Sequence, residues 1–83
     1  MALEFIGTSG TKKVYLTPYA KWRLGLRNLS SSEVLQTLKR RDVTYPKDED
    51  GRQKIRTNLG SKRAFLVIQE EKDNIIIITG GES

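Results

Sequence analysis

Cutting a phosphodiester needs a group to deprotonate the attacking hydroxyl, a cation for the charge building on phosphorus, and an acid for the leaving oxygen. This chain of 83 residues contains no histidine and no cysteine. Imidazole bases, thiolate nucleophiles, and thiolate or imidazole metal sites are therefore excluded. Tyrosine, lysine and arginine remain. A lysine or tyrosine of lowered pKa can take a proton, and an arginine can clamp phosphate through paired N–H groups. Tyr19, Arg23 and Lys54 are the candidates for catalysis, and Arg27, Arg56 and Arg63 the candidates for holding nucleic acid. Each also has an ordinary structural reading. Tyr19 can simply pack, Arg23 and Arg27 can form a solvated helix face, Lys54 and Arg56 a solvent-facing strand, and Arg63 one half of an ion pair.

Charge patterning favours a polyanionic partner. The net charge is +5, but residues 12–41 carry a net +7 and residues 52–63 a net +5, with an acidic stretch between them. If folding brings the two basic blocks together, the local field suits a phosphate backbone. Motif templates add nothing: there is no glycine-rich phosphate loop, no dinucleotide fingerprint and no Ser-His-Asp set. Asp48, Glu49 and Asp50 lack calcium-loop spacing and read as a solvated hairpin tip. Neither a metal nor a cofactor is called for.

The elements that must position these groups follow from periodicity. Thr17 as N-cap and Pro18 at the first helical position open a helix over about 18–27, with Tyr19, Trp22 and Leu26 at helical spacing. Trp22 is placed in the core rather than on a base-stacking platform. Ser30 and Glu33 match a capping box, and Leu29 with Val34 a hydrophobic staple, so a second helix covers about 31–40. Residues 3–6 and 14–16 are short β-prone pieces separated by a loop. Beyond Arg41 the period changes. Residues 43–45, 52–58, 63–69 and 75–79 read as strands, and Arg52, Lys54, Arg56 and Asn58 share one face of the second of these. The fold expected is α+β: an N-terminal two-helix unit packed on a four-stranded antiparallel meander sheet. Trp22, Leu24, Val34, Leu35 and Leu38 should cover one face, leaving Lys54 and Arg56 on the other. The chain reads as one domain over 1–83, with flexible ends at 1–12 and 80–83. With 36% hydrophobic and 30% charged residues it is globular in composition. No apolar run approaches a membrane span and no signal-peptide layout is present, so a cytoplasmic location is expected.

The run Leu16-Thr17-Pro18-Tyr19-Ala20-Lys21-Trp22-Arg23-Leu24-Gly25-Leu26-Arg27-Asn28-Leu29-Ser30 resembles a widespread family of small bacterial proteins of unknown function. That family opens its helix pair with Ser-x-His-Ala, an Arg three residues later and a second Arg four beyond that. Val34, the turn Asp50-Gly51-Arg52 and the apolar strands in 64–68 and 75–79 extend the resemblance over about residues 14–80. Such proteins look like relatives of the barnase, EndoU, colicin and RelE-type toxin fold. The resemblance implies RNA or the ribosome as partner, metal-independent RNA cleavage of the mRNA-interferase kind, and a cognate inhibitor protein. Ala20, Arg23 and Arg27 match the motif, whereas Tyr19 occupies the histidine position. Either Tyr19 replaces the imidazole, or cleavage has been lost and only binding remains. The competing expectation is a non-enzymatic protein- or nucleic-acid-binding module that uses the same basic surface.

Overall fold

The computed structural model describes residues 2–26 and 28–82. Its elements are β1 (Glu4–Ser9), β2 (Lys12–Leu16), α1 (Pro18–Leu26), α2 (Ser31–Arg40), β3 (Val43–Thr44), β4 (Gln53–Leu59), β5 (Lys62–Glu70) and β6 (Asn74–Glu82). Both helices lie where their caps place them. Thr17 Oγ1 accepts from the Ala20 amide at 3.0 Å, satisfying one of the free donors of the first turn of α1. Asn28, at φ 56°, closes α1, and the Leu29 amide reaches back to the Leu24 carbonyl at 3.0 Å. In α2 the Glu33 amide donates to Ser30 Oγ and the Ser30 amide donates to Glu33 Oε1, so the capping box is complete. Arg41 turns left-handed to end α2.

The sheet overturns the four-stranded antiparallel expectation. It has six strands in the order β1-β2-β6-β5-β4-β3 and is mixed. β3 through β6 pair antiparallel in succession, but β2 runs parallel to β6, with Val14 opposite Ile75 and Leu16 opposite Ile77. The N-terminal segment is paired into the sheet. β1 and β2 form a hairpin whose tip carries Gly10 at φ 62°, a conformation glycine adopts without strain. A bulge between Phe5 and Gly7 bends β1. β6 likewise continues through Gly80 and Gly81 to Glu82, where the sequence suggests a tail. A parallel pair needs a long crossover; here everything from Pro18 to Asp73 lies between the two strands. No local signal announces such a pairing.

The two helices cover one sheet face. Val14, Leu16, Ile55, Ala64, Leu66, Ile68, Ile75 and Ile77 bury themselves there against Ala20, Leu24, Leu29, Val34 and Leu38. Leu35 packs at the margin. Trp22 does not join them: it is 58% exposed, and Leu26 is 63% exposed. The reason is rotational. Ala20 and Leu24, one turn apart, face the sheet, and a residue two positions from Ala20 is turned about 200° away from it. α1 approaches β6 closely because Gly80 leaves room for Leu24. A small residue at position 20 supports that approach better than an indole would. Among the described residues no helix is long and apolar enough to cross a membrane.

Candidate functional site

Among the described residues, several cations that are in no ion pair share the sheet face opposite the helices. On β4, Ile55 and Thr57 are buried toward the helices, so Lys54, Arg56 and Asn58 point the other way, and Arg52 lies just before the strand. Register sets their neighbours. Phe65 on β5 lies opposite Arg56, Val67 opposite Lys54, and Arg63 opposite Asn58. From the other side, Val43 lies opposite Arg56, and the Tyr45 amide donates to the Lys54 carbonyl at 3.0 Å. Lys54 and Arg56 thus stand between an aromatic residue on each flank.

The contacts are specific. Lys54 Nζ lies 5.5 Å from the Tyr45 ring centre and 5.2 Å from that of Phe65. Both distances are within cation–π range. Arg56 Nη1 donates to the Tyr45 hydroxyl at 2.8 Å. Gln53 Nε2 donates to the Tyr45 carbonyl at 2.9 Å and anchors that residue from its backbone. Farther along the face, Phe5 and Tyr15 meet edge-on, with ring centres 5.7 Å apart.

Two grooves open at the ends of this cationic row. One is lined by Asp42, Val43, Arg56, Thr57, Asn58 and Arg63. Its single carboxylate is already engaged: Asp42 Oδ2 accepts from Arg40 at 3.2 Å and from the Asn58 amide at 3.1 Å. The other is lined by Thr17, Pro18, Tyr19, Arg52 and Ile78. Ile78 is the extra residue of a bulge where β6 shifts register against β5. Thr17 is tied to the same place, its hydroxyl donating toward the Ile77 and Ile78 carbonyls at 3.2 and 3.3 Å. The start of α1 is thereby pinned to the bulge, and Tyr19 is delivered to the groove.

Electrostatics separate this face from the rest of the molecule. Among the described residues the ion pairs are Lys12–Glu70, Lys21–Glu4, Arg40–Asp42, Arg41–Glu70 and Lys62–Glu33. The Arg41 guanidinium, then Lys12, hold the Glu70 carboxyl below its ordinary range against the opposing effect of burial. The Lys62 ammonium, with the Ser30 amide, does the same for Glu33. None of these pairs involves Arg52, Lys54, Arg56 or Arg63. Four of the eight basic residues in 12–41 are thus matched to carboxylates, and in the second block Lys62 is matched while Arg52, Lys54, Arg56 and Arg63 are in none of these pairs.

The anticipated residues are only partly brought together. Lys54 and Arg56 share the face and Arg63 joins Arg56 in one groove. Tyr19 lines the other groove with Arg52 rather than with Lys54. Arg23 is half-buried and lines neither groove, and its Nε is shielded from solvent without a hydrogen-bond partner. Arg27 lies outside the described residues. Among the described residues, neither groove brings a cation of the first block together with the second. Three contributors escaped sequence reasoning. Arg52 was legible in the alternation of residues 52–58, but Tyr45 and Phe65 belong to other strands and reach the site only through register. No family model, curated protein or solved structure matches the chain.

Proposed function

We propose that the protein binds RNA across the open face of its sheet, with Arg52, Lys54, Arg56 and Arg63 contacting phosphates and Phe65 and Tyr45 setting the position of the central cations. The carrying observation is that Lys54, Arg56 and Arg63 share a face, Arg52 lines a groove with Tyr19, and none of the four pairs with a carboxylate among the described residues. Unpaired cations interleaved with aromatic rings suit a strand that offers phosphates and bases alternately. The resemblance of residues 16–30 to a family of small bacterial proteins of unknown function, which look like relatives of toxin folds, points to the same partner class, with the ribosome or its RNA as target and an inhibitor protein as counterpart.

Metal-independent cleavage is the second reading, favoured by one feature: a phenol and a guanidinium, Tyr19 and Arg52, line the same groove. There the Tyr19 hydroxyl would take the proton of a ribose 2′-hydroxyl as that oxygen bonds to phosphorus and the P–O5′ bond breaks, its own proton passing through water to the departing 5′-oxygen, while Arg52 holds the phosphate. Arg23 has no place in this scheme, because it lines neither groove.

Fluorescence anisotropy with a labelled single-stranded RNA at several salt concentrations tests the binding reading. Four phosphate contacts predict a slope of log K against log salt of about −3, and Lys54→Ala/Arg56→Ala should bring it to about −1.4. No binding at low salt, or an unchanged slope in the double variant, would refute it. Cleavage is checked by mapping RNA ends after induced expression, and Tyr19→Phe should abolish cleavage while leaving affinity within about threefold.

A further inference from the structure

Outside the cationic row, the most conspicuous unexplained surface is the outward stripe of α1. Tyr19 is 54% exposed, Trp22 58% and Leu26 63%. The Tyr19 and Trp22 rings are 5.8 Å apart and inclined at 48°. Such a stripe is costly to leave in water. Its extent argues against a protein partner. Three side chains exposed to this degree offer about 350 Å² together, well under the roughly 800 Å² per side of a standard protein interface. Its position argues for a nucleic acid. Tyr19 lines the same groove as Arg52, whose guanidinium is among those with no carboxylate partner among the described residues. The sequence of groups across the surface is therefore cation, groove, phenol, indole.

Resting on the RNA-binding reading above, we infer that Trp22, backed by Tyr19, is a stacking platform for an unpaired base, entered by a single-stranded RNA whose neighbouring phosphate sits on Arg52. A ring tilted against its neighbour leaves a face open for a third aromatic, and a nucleobase is flat, apolar on its faces and linked to a phosphate. The base must be unpaired, since a duplex keeps its base faces covered by stacking. The inference thus names the substrate class of the site: single strands or loops rather than helices.

Trp22 is the chain's sole tryptophan, so intrinsic fluorescence reports on it alone. A single-stranded RNA of about 12 nucleotides without self-pairing, titrated into the full chain, should quench that emission, and a duplex of equal length should not. Trp22→Ala should weaken single-strand binding about tenfold or more, and Trp22→Phe less than about threefold. The salt slope should stay unchanged in both, because no phosphate contact is removed; Arg52→Ala should instead lower the slope by about 0.7. Because Trp22 packs outward, both tryptophan variants should keep the wild-type circular dichroism spectrum. If single strands bind with wild-type affinity to Trp22→Ala and emission does not move, the platform is refuted while RNA binding stands. If no RNA binds at low salt, both fall. Equal quenching by duplex overturns the inference. So does an emission shift that follows protein concentration without RNA, since it assigns the stripe to self-association.

Discussion

Replacing Gly80 with alanine probes how tightly β5, and beyond it Leu24 of α1, pack on β6. An ideal Cβ there would lie 2.6 Å from Leu66 Cδ2, 2.8 Å from the Phe65 carbonyl oxygen and 3.3 Å from Leu24 Cδ2. Comfortable carbon contacts start at about 3.5 Å, so the Leu66 methyl would have to retreat by roughly 1 Å. Leu66 is fully buried, and the Phe65 oxygen is backbone opposite β6. Neither can move without disturbing strand pairing or core packing. Overpacking of this kind costs about 1–3 kcal/mol, and the rigid backbone neighbour places Gly80→Ala in the upper half of that range. For a domain of this size that lowers the melting temperature by roughly 8–24 °C. Urea and thermal unfolding followed by far-ultraviolet circular dichroism measure it. A double-mutant cycle with Leu66→Ala isolates the side-chain part, and about 1 kcal/mol of coupling is expected because the Phe65 oxygen still obstructs. If Gly80→Ala unfolds within about 0.5 kcal/mol of wild type, the tight packing of Leu66 and the Phe65 carbonyl against Gly80 is refuted.

Other expectations follow from the same contacts. Glu70 accepts from Arg41 at 3.0 Å and from Lys12 at 3.0 Å, and its folded pKa is held below the ordinary value. Its contribution is therefore complete above the unfolded carboxylate pKa of about 4.3 and is lost as pH falls through the lower folded value. Glu70→Gln should cost about 1 kcal/mol near neutrality, after screening at a side chain 24% exposed, and should flatten the acid limb of a stability–pH curve. A limb unchanged in the variant would assign acid loss to other groups. Ser30→Ala removes the acceptor of the Glu33 amide and should destabilise by about 1 kcal/mol, read in a urea midpoint; a neutral result would mean that α2 does not depend on its cap. Tyr45→Phe deletes the acceptor of Arg56 Nη1 while keeping the ring near Lys54. RNA affinity should fall about two- to fivefold with stability nearly unchanged; an equal loss of both would make Tyr45 a folding residue only.

Local chemistry was readable from the chain. The Ser30–Glu33 box, the Thr17–Pro18 opening of α1 and the alternation that sends Lys54 and Arg56 to one side of β4 each depend on a few adjacent residues, and each is present in the fold. Long-range placement was not. The parallel pairing of β2 with β6 joins segments about sixty residues apart and depends on the net gain of closing that loop, which no short window expresses. Trp22 shows the same limit at the scale of one helix. Its spacing with Tyr19 and Leu26 marks an apolar stripe, yet Ala20 and Leu24 won the sheet because Gly80 lets the backbones come close. The flanking of Lys54 by Tyr45 and Phe65 likewise exists only once strand register is set. Side-chain identity determined which groups could hold an anion; tertiary packing decided which remained unneutralised, because folding matched Lys12, Lys21, Arg40, Arg41 and Lys62 to carboxylates and left the β4 cations facing outward.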